Sequence, residues 1–162
     1  MTVALKEQVL KQIRDELREK IAATEKAVEQ ARESFRVGDD RAENRGERGA
    51  IQEKSWLLSA QASRLEELRR QLFAVENTAT GLLNSVGPGA LVVLKDEALG
   101  EEEVYLVHPE LGGAETEVGG QEVLAISPAS PLGAALLGGT AGQEIEVRLP
   151  AAVRRLKILE VS

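Results

Sequence analysis

Apolar and small residues recur at Leu10, Ile13, Leu17, Ile21, Thr24, Val28, Ala31 and Phe35, in steps of 3-4-4-3-4-3-4. A stripe with that spacing winds up one side of an α-helix and approximates a heptad seam. A second stripe runs Ile51, Ser55, Leu58, Ala62, Leu65, Leu68, Leu72 and Val75. Charged residues fill the other faces, with Glu7/Lys11 and Glu16/Lys20 at a spacing that supports a helix. Between the stripes, Val37–Gly49 holds three glycines, two aspartates and an asparagine. That is turn chemistry, and Asp39 or Asp40 is a candidate N-cap for the second helix. The pattern predicts a helix from about Leu5 to Val37, roughly 50 Å long at about 1.5 Å per residue. It is expected to fold back against its partner as an antiparallel coiled-coil hairpin. A dimeric coiled coil or two helices of a bundle share this periodicity. The hairpin is preferred because the stripes have similar lengths and the breaker sits midway. Trp56 and Leu57 lie beside the seam and read as packing residues.

Past residue 80 the pattern changes. Ala90–Leu94, Val104–Val107, Glu122–Ile126, Glu144–Leu149 and Arg155–Val161 read as five strands. Ser130 is predicted to cap a short helix, with Pro131 at its first position and Gly138 at its end. A small, mostly antiparallel sheet with one short helix belongs to the α+β class. Composition divides the chain at the same place. Residues 1–80 hold 3 of the 15 glycines and none of the 5 prolines. They carry 15 basic and 15 acidic residues, whereas 81–162 carry 5 and 12, which supplies the whole net charge of −7. The junction falls around Asn77–Gly87, so the expected regions are 1–80, a hairpin with its tip near 38–49, and 81–162, a compact acidic domain.

Composition also excludes chemistry. With no cysteine there is no disulfide framework, thiolate metal site or cysteine nucleophile. His108 is the only histidine, too few for a histidine metal site or relay. Next to Pro109 in a loop, it is expected to be exposed. No Gly-x-Ser-x-Gly motif is present, which argues against a serine hydrolase. Aromatics make up 2%, too few for a base-stacking surface. Net negative charge opposes direct duplex DNA binding and suits a basic protein partner. No run of 18 apolar residues and no signal-peptide pattern occurs, so no membrane association and a soluble, cytoplasmic location are expected.

One string is specific. Ile126-Ser-Pro-Ala-Ser-Pro-Leu-Gly-Ala-Ala-Leu-Leu-Gly-Gly-Thr-Ala-Gly142, followed by Glu144-Ile-Glu-Val and Pro150, resembles the carboxyl-terminal signature of the bacterial Gre family of transcript-cleavage factors. The resemblance extends over nearly the whole chain. It implies a coiled-coil hairpin followed by a small FKBP-like antiparallel domain. It implies docking of that domain, through Ser130, Pro131, Leu132 and Gly133, at the rim of the RNA polymerase secondary channel. The hairpin tip then reaches the polymerase active centre and the 3′ end of the nascent RNA. There its carboxylates help hold a Mg2+ ion shared with the polymerase, whose own centre cleaves backtracked RNA. The protein is thus expected to be a stimulating factor, not an enzyme in its own right. Prolyl isomerase activity is disfavoured despite the FKBP-like fold, because Tyr105 is the only aromatic in this half.

The family tip reads Gly-Asp-x-x-Glu-Asn. Here Gly38-Asp39-Asp40-Arg41-Ala42-Glu43-Asn44 carries one extra residue. The resemblance places Asp40 and Glu43 in the catalytic, metal-binding roles, with Asp39 as the alternative register. Carboxylate oxygens suit a hard cation. Two departures stand out. Arg45-Gly46-Glu47-Arg48-Gly49 replaces the family's Ala-Glu-Tyr, and positive charge there weakens the field of the acidic pair. Arg41, Arg45 and Arg48 are candidates for contact with RNA, or else solubilising charges. Ala134 and Gly139 stand where the family commonly carries basic residues. The atypical tip leaves open a second reading, a secondary-channel regulator that modulates or inhibits polymerase without stimulating cleavage. A more remote third is a coiled-coil adaptor with no polymerase partner.

Overall fold

The structure, a computed structural model, describes residues 2–39 and 45–162. Its elements are α1 (Thr2–Asp39), α2 (Arg45–Glu76), β1 (Ala90–Asp96), β2 (Glu102–Val107), β3 (Glu115–Val118), β4 (Gln121–Ile126), α3 (Pro131–Leu136), β5 (Glu144–Arg148) and β6 (Val153–Val161). The chain packs as two compact units: Arg14–Phe73, and the first turns of α1 up to Ile13 together with Ala74–Ser162.

Within Arg14–Phe73 the buried apolar residues fall on the predicted stripes, of which Ser55 is exposed. Leu17 and Val28 on α1 and Leu65 and Leu68 on α2 are all buried. Arg69 Nη2 meets Glu25 Oε1 at 2.8 Å. Both residues stand several turns from the five-residue link between the helices, so a pairing between them requires antiparallel helices. The helices run further than the turn chemistry predicts. The first reaches Asp39, and the second takes in Gly46 and Gly49. A glycine inside a helix costs about 1 kcal/mol against alanine, too little to end one. Asp39 is the last residue of α1 and so does not cap α2, while the alternative cap, Asp40, lies outside the described residues. Trp56 and Leu57 are 72% and 53% exposed, so the expected packing role is not found; Leu58, on the stripe, is the half-buried neighbour.

The other unit is built on a six-stranded sheet in the order β3-β4-β2-β1-β6-β5. The predicted α+β class holds, with two differences. First, the sheet is mixed: β4 pairs in parallel with β2, while the other four pairings are antiparallel. Second, β3 was not among the predicted strands. It pairs with β4 through the two-residue turn Gly119-Gly120, both at positive φ, with Val118 opposite Gln121. A Gly-Gly pair between short alternating runs signals a hairpin, and Thr116 of β3 is buried as that alternation requires. Because β4 returns between β3 and β2, it meets β2 in the same direction.

Alternate residues of the central strands build the core. Ala90, Val92 and Leu94 of β1, Tyr105 and Val107 of β2, and Leu156 and Ile158 of β6 share it with Val147 and Val86. The short α3 covers them by inserting Leu136, which is fully buried, with Leu132 and Ala135 half-buried beside it.

Candidate functional site

The segment predicted to dock a partner is held by local hydrogen bonds. Ser130 has extended backbone and caps α3. Its Oγ accepts from the Gly133 N–H at 3.0 Å and donates to the Ser127 carbonyl at 2.7 Å. Ser127 Oγ accepts from the Ala129 N–H at 3.1 Å. Pro131 begins the helix, and Gly138, at φ +77°, ends it. Gly138 N–H donates to Val86 O and Val86 N–H donates to Gly139 O, both at 2.8 Å, which ties the segment to the strand-β1 approach. Of the four predicted docking residues, Gly133 is buried, Ser130 is engaged within the chain, Leu132 is half-buried against the core and Pro131 is exposed. Ala134 and Leu137 are exposed beside Pro131, so the outward face of α3 is small and uncharged.

Of the predicted acidic tip, Asp39 is the last residue of α1. Arg45 is the first of α2, and Arg48 is exposed in its first turn. Asp40, Arg41 and Glu43 lie outside the described residues. Among the described residues no three acidic or imidazole groups gather into a metal site. The residues expected to hold Mg2+, Asp39, Asp40 and Glu43, are all carboxylates in the sequence, the kind of donor that a hard cation takes.

Two polar clusters escaped sequence reasoning. In the first, Arg154 of β6 bonds Asp96 of β1 (Nε–Oδ2 3.1 Å, Nη2–Oδ2 2.8 Å) and Glu103 of β2 (3.0 Å to each carboxylate oxygen). Tyr105 Oη donates to Glu103 Oε2 at 2.9 Å. Asp96 Oδ1 also accepts the Ala98 and Leu99 N–H groups at 2.9 and 3.1 Å. The Arg154 hydrogen bond, followed by that from Leu99, holds the Asp96 carboxyl below its ordinary value. Glu103 also belongs to an acidic concavity of about 380 Å³, lined with Glu101, Glu102, Glu115 and Glu122.

The second cluster corrects the expectation for His108, which is 4% exposed. Thr78 Oγ1 donates to Ala74 O at 2.8 Å, so its lone pair accepts from His108 Nε2–H at 3.1 Å. Nδ1 accepts the Glu110 N–H at 3.2 Å. Both ring nitrogens are engaged in a way that suits the neutral ring, and burial lowers the histidine pKa from its ordinary 6.5. The unfolded chain therefore binds this proton more readily than the folded one. Stability from His108 is present above pH 6.5 and is lost as pH falls through 6.5 towards the lower folded value. Urea titrations at stepped pH should show that slope, and His108→Gln should remove it. An unchanged slope would contradict the assignment.

Residues 81–162, which hold the sheet and the capped α3 segment, match the family model described as transcription elongation factor GreA/GreB, carboxyl-terminal. The chain belongs to the GreA/GreB family. Two relatives extend the similarity over the helices. The transcription elongation factor GreA of Magnetococcus marinus is 29% identical over 93% of this chain and 91% of its own. The transcription inhibitor protein Gfh1 of Thermus aquaticus is 30% identical over 99% of this chain and 94% of its own. Among solved structures, Gfh1 of Thermus thermophilus aligns over 92% of this chain and 94% of its own, with a TM-score of 0.39 and 18% identity. Membership of the GreA/GreB family fits a transcription factor, and the two relatives are named as a transcription elongation factor and a transcription inhibitor. Among the described residues no helix is long and apolar enough to cross a membrane.

Proposed function

We propose that this protein binds RNA polymerase at its secondary channel and stimulates cleavage of backtracked RNA. The observation that carries the reading is the position of the acidic segment. Asp39 closes one long helix and Arg45 opens the next, so in sequence Asp40–Asn44 falls between two antiparallel helices. A stretch in that position is the part of a hairpin that enters a channel first. The carboxyl-terminal domain supplies the docking module, with the exposed Pro131, Ala134 and Leu137 as its contact face. Asp40 and Glu43, with Asp39 beside them, would help hold the Mg2+ ion of the polymerase. When bound there, the ion supplies a nucleophilic water and stabilises the leaving oxygen of a phosphodiester. The chain's own part is to carry those carboxylates in the stretch of sequence between α1 and α2 and to set the local charge. Arg41, Arg45 and Arg48 bring cationic groups near the RNA 3′ end, and they temper the field of the carboxylates. The acidic surface of the second domain suits a basic polymerase surface, so association is expected to weaken with salt.

A second reading has a specific observation behind it. The relative that covers nearly all of this chain at 30% identity is named a transcription inhibitor. In that reading the tip occupies the channel without promoting hydrolysis. A stalled, backtracked elongation complex of the cognate polymerase separates the two. Added protein should release short 3′ RNA fragments, and Glu43→Ala or Asp40→Ala should cut the rate about tenfold or more while binding persists. Binding without fragments would replace the first reading by the second. No binding at all would remove both.

A further inference from the structure

Lys6 is the anomaly of the fold. It lies on α1 between Thr2 and Val9, Leu10 and Ile13, on the stripe that this helix buries, and it is 1% exposed. Lysine is almost never buried to that degree unless its ammonium is paired. Lys6 has no hydrogen-bond or ion-pair partner among the described residues. It lines a cavity of about 370 Å³ that lies wholly within the unit of the sheet. The rest of the lining is largely apolar, including Leu83, Pro88 and Pro109, with Asn77, Thr78 and His108 as polar members.

The neighbouring polar groups leave the lysine alone. Both His108 nitrogens are engaged, one with Thr78 and one with the Glu110 N–H. The Thr78 hydroxyl proton goes to Ala74 O. The cavity thus offers an amine with no carboxylate in its lining. We infer that this cavity binds a small monocarboxylate with an apolar body, its carboxylate on Lys6 Nζ and its body against Leu83, Pro88 and Pro109. A single cation suits a single negative charge, and an apolar wall rewards a hydrocarbon tail. A phosphate dianion would find one cation and too few donors. The inference does not depend on the proposed role in transcription.

Proton balance gives the site a signature. Burial pushes the Lys6 pKa below its ordinary 10.5. Above that lowered value the empty cavity holds a neutral amine, and a carboxylate enters together with one proton from solvent, forming an ammonium–carboxylate pair. Affinity should then fall about tenfold for each further pH unit. The titratable groups of the lining are Lys6 and His108, with the Glu110 carboxyl next to the histidine ring. Lys6 alone is expected to titrate in the alkaline range.

The probe is hexanoate, added to the full chain and followed by calorimetry from about pH 6 to about pH 10 in buffers of different ionisation enthalpy. Hexanol and inorganic phosphate are the comparisons. The expected result is saturable hexanoate binding, with proton uptake at the alkaline end and much weaker binding of phosphate. Lys6→Met keeps the bulk and removes the charge, and should fold at least as stably as the wild type. It should bind hexanoate at least about tenfold more weakly while retaining hexanol. No hexanoate binding to the wild type would overturn the inference, as would phosphate binding of equal strength. Hexanoate binding untouched by Lys6→Met, or free of proton uptake at every pH, would overturn it as well.

Discussion

Gly133→Ala unfolds or severely weakens the carboxyl-terminal domain. A Cβ at this position would collide with the Ser127 carbonyl oxygen and stand 2.9 Å from its carbon. Both atoms are backbone, so no side-chain rotation relieves the collision. A third close atom, Ser130 Oγ at 2.9 Å, is the cap of the same helix. Relief requires α3 to move away from the Ser127 turn. That movement breaks the Ser130 cap and lifts Leu136 from the core, where it is fully buried. Forcing one extra methyl into a tight core usually costs about 1–3 kcal/mol. With backbone on the far side and a cap lost too, the expected loss is about 3 kcal/mol or more. That is a large part of the 5–15 kcal/mol typical of a whole domain. Ala134→Gly, on the exposed side of the same helix, is the control, at about 1 kcal/mol. Urea unfolding of the full chain measures both. Equal losses for the two variants would show that the close approach is not what makes residue 133 a glycine.

Arg154→Met should be the next most damaging change, at about 3 kcal/mol. The guanidinium holds two carboxylates at once, and the Asp96 side chain is 5% exposed. Without it, Asp96 keeps two backbone N–H donors and no counter-charge. A buried carboxylate left in that state costs far more than a surface ion pair contributes. The two effects separate by pH. Because Arg154 holds the Asp96 carboxyl below its ordinary 3.8, the unfolded chain takes up this proton first on acidification. Stability from Asp96 is therefore present above pH 3.8 and is lost as pH falls through it towards the lower folded value. Stability against pH should fall on the acid side in the wild type and flatten in Arg154→Met. A variant with wild-type midpoint, or with an unchanged acid limb, would show that the three-strand clamp contributes little.

Part of this protein was legible from local rules. The helical stripes follow from which residues avoid water, and burial at Leu17, Val28, Leu65 and Leu68 bears them out. The Ser130 cap, the proline at the helix start and the terminal Gly138 are decided within a few residues of chain, and all three are found. The same string carried the family, because short-range bonds and turns oblige a particular order of serines and glycines. Even β3 had a local sign in Gly119-Gly120, although the short run before it did not read as a strand.

The remainder needed the fold. Asp96 and Arg154 are 58 residues apart and meet only because β1 and β6 are neighbours. The parallel β2–β4 pairing depends on where the returning strand inserts, which no local period encodes. Gly133 has ordinary backbone angles, so its necessity is visible only once the Ser127 carbonyl is in place. His108 beside a proline looks like loop surface until Thr78 and Glu110 engage its ring. Lys6 reads as one more charge on a charged helix, and only packing turns it into an unpaired amine in a cavity. Amphipathic periods, caps and turns are properties of neighbours in sequence, and the chain alone determined them. Burial, charge pairing and close backbone approach are properties of neighbours in space, and the tertiary structure decided those.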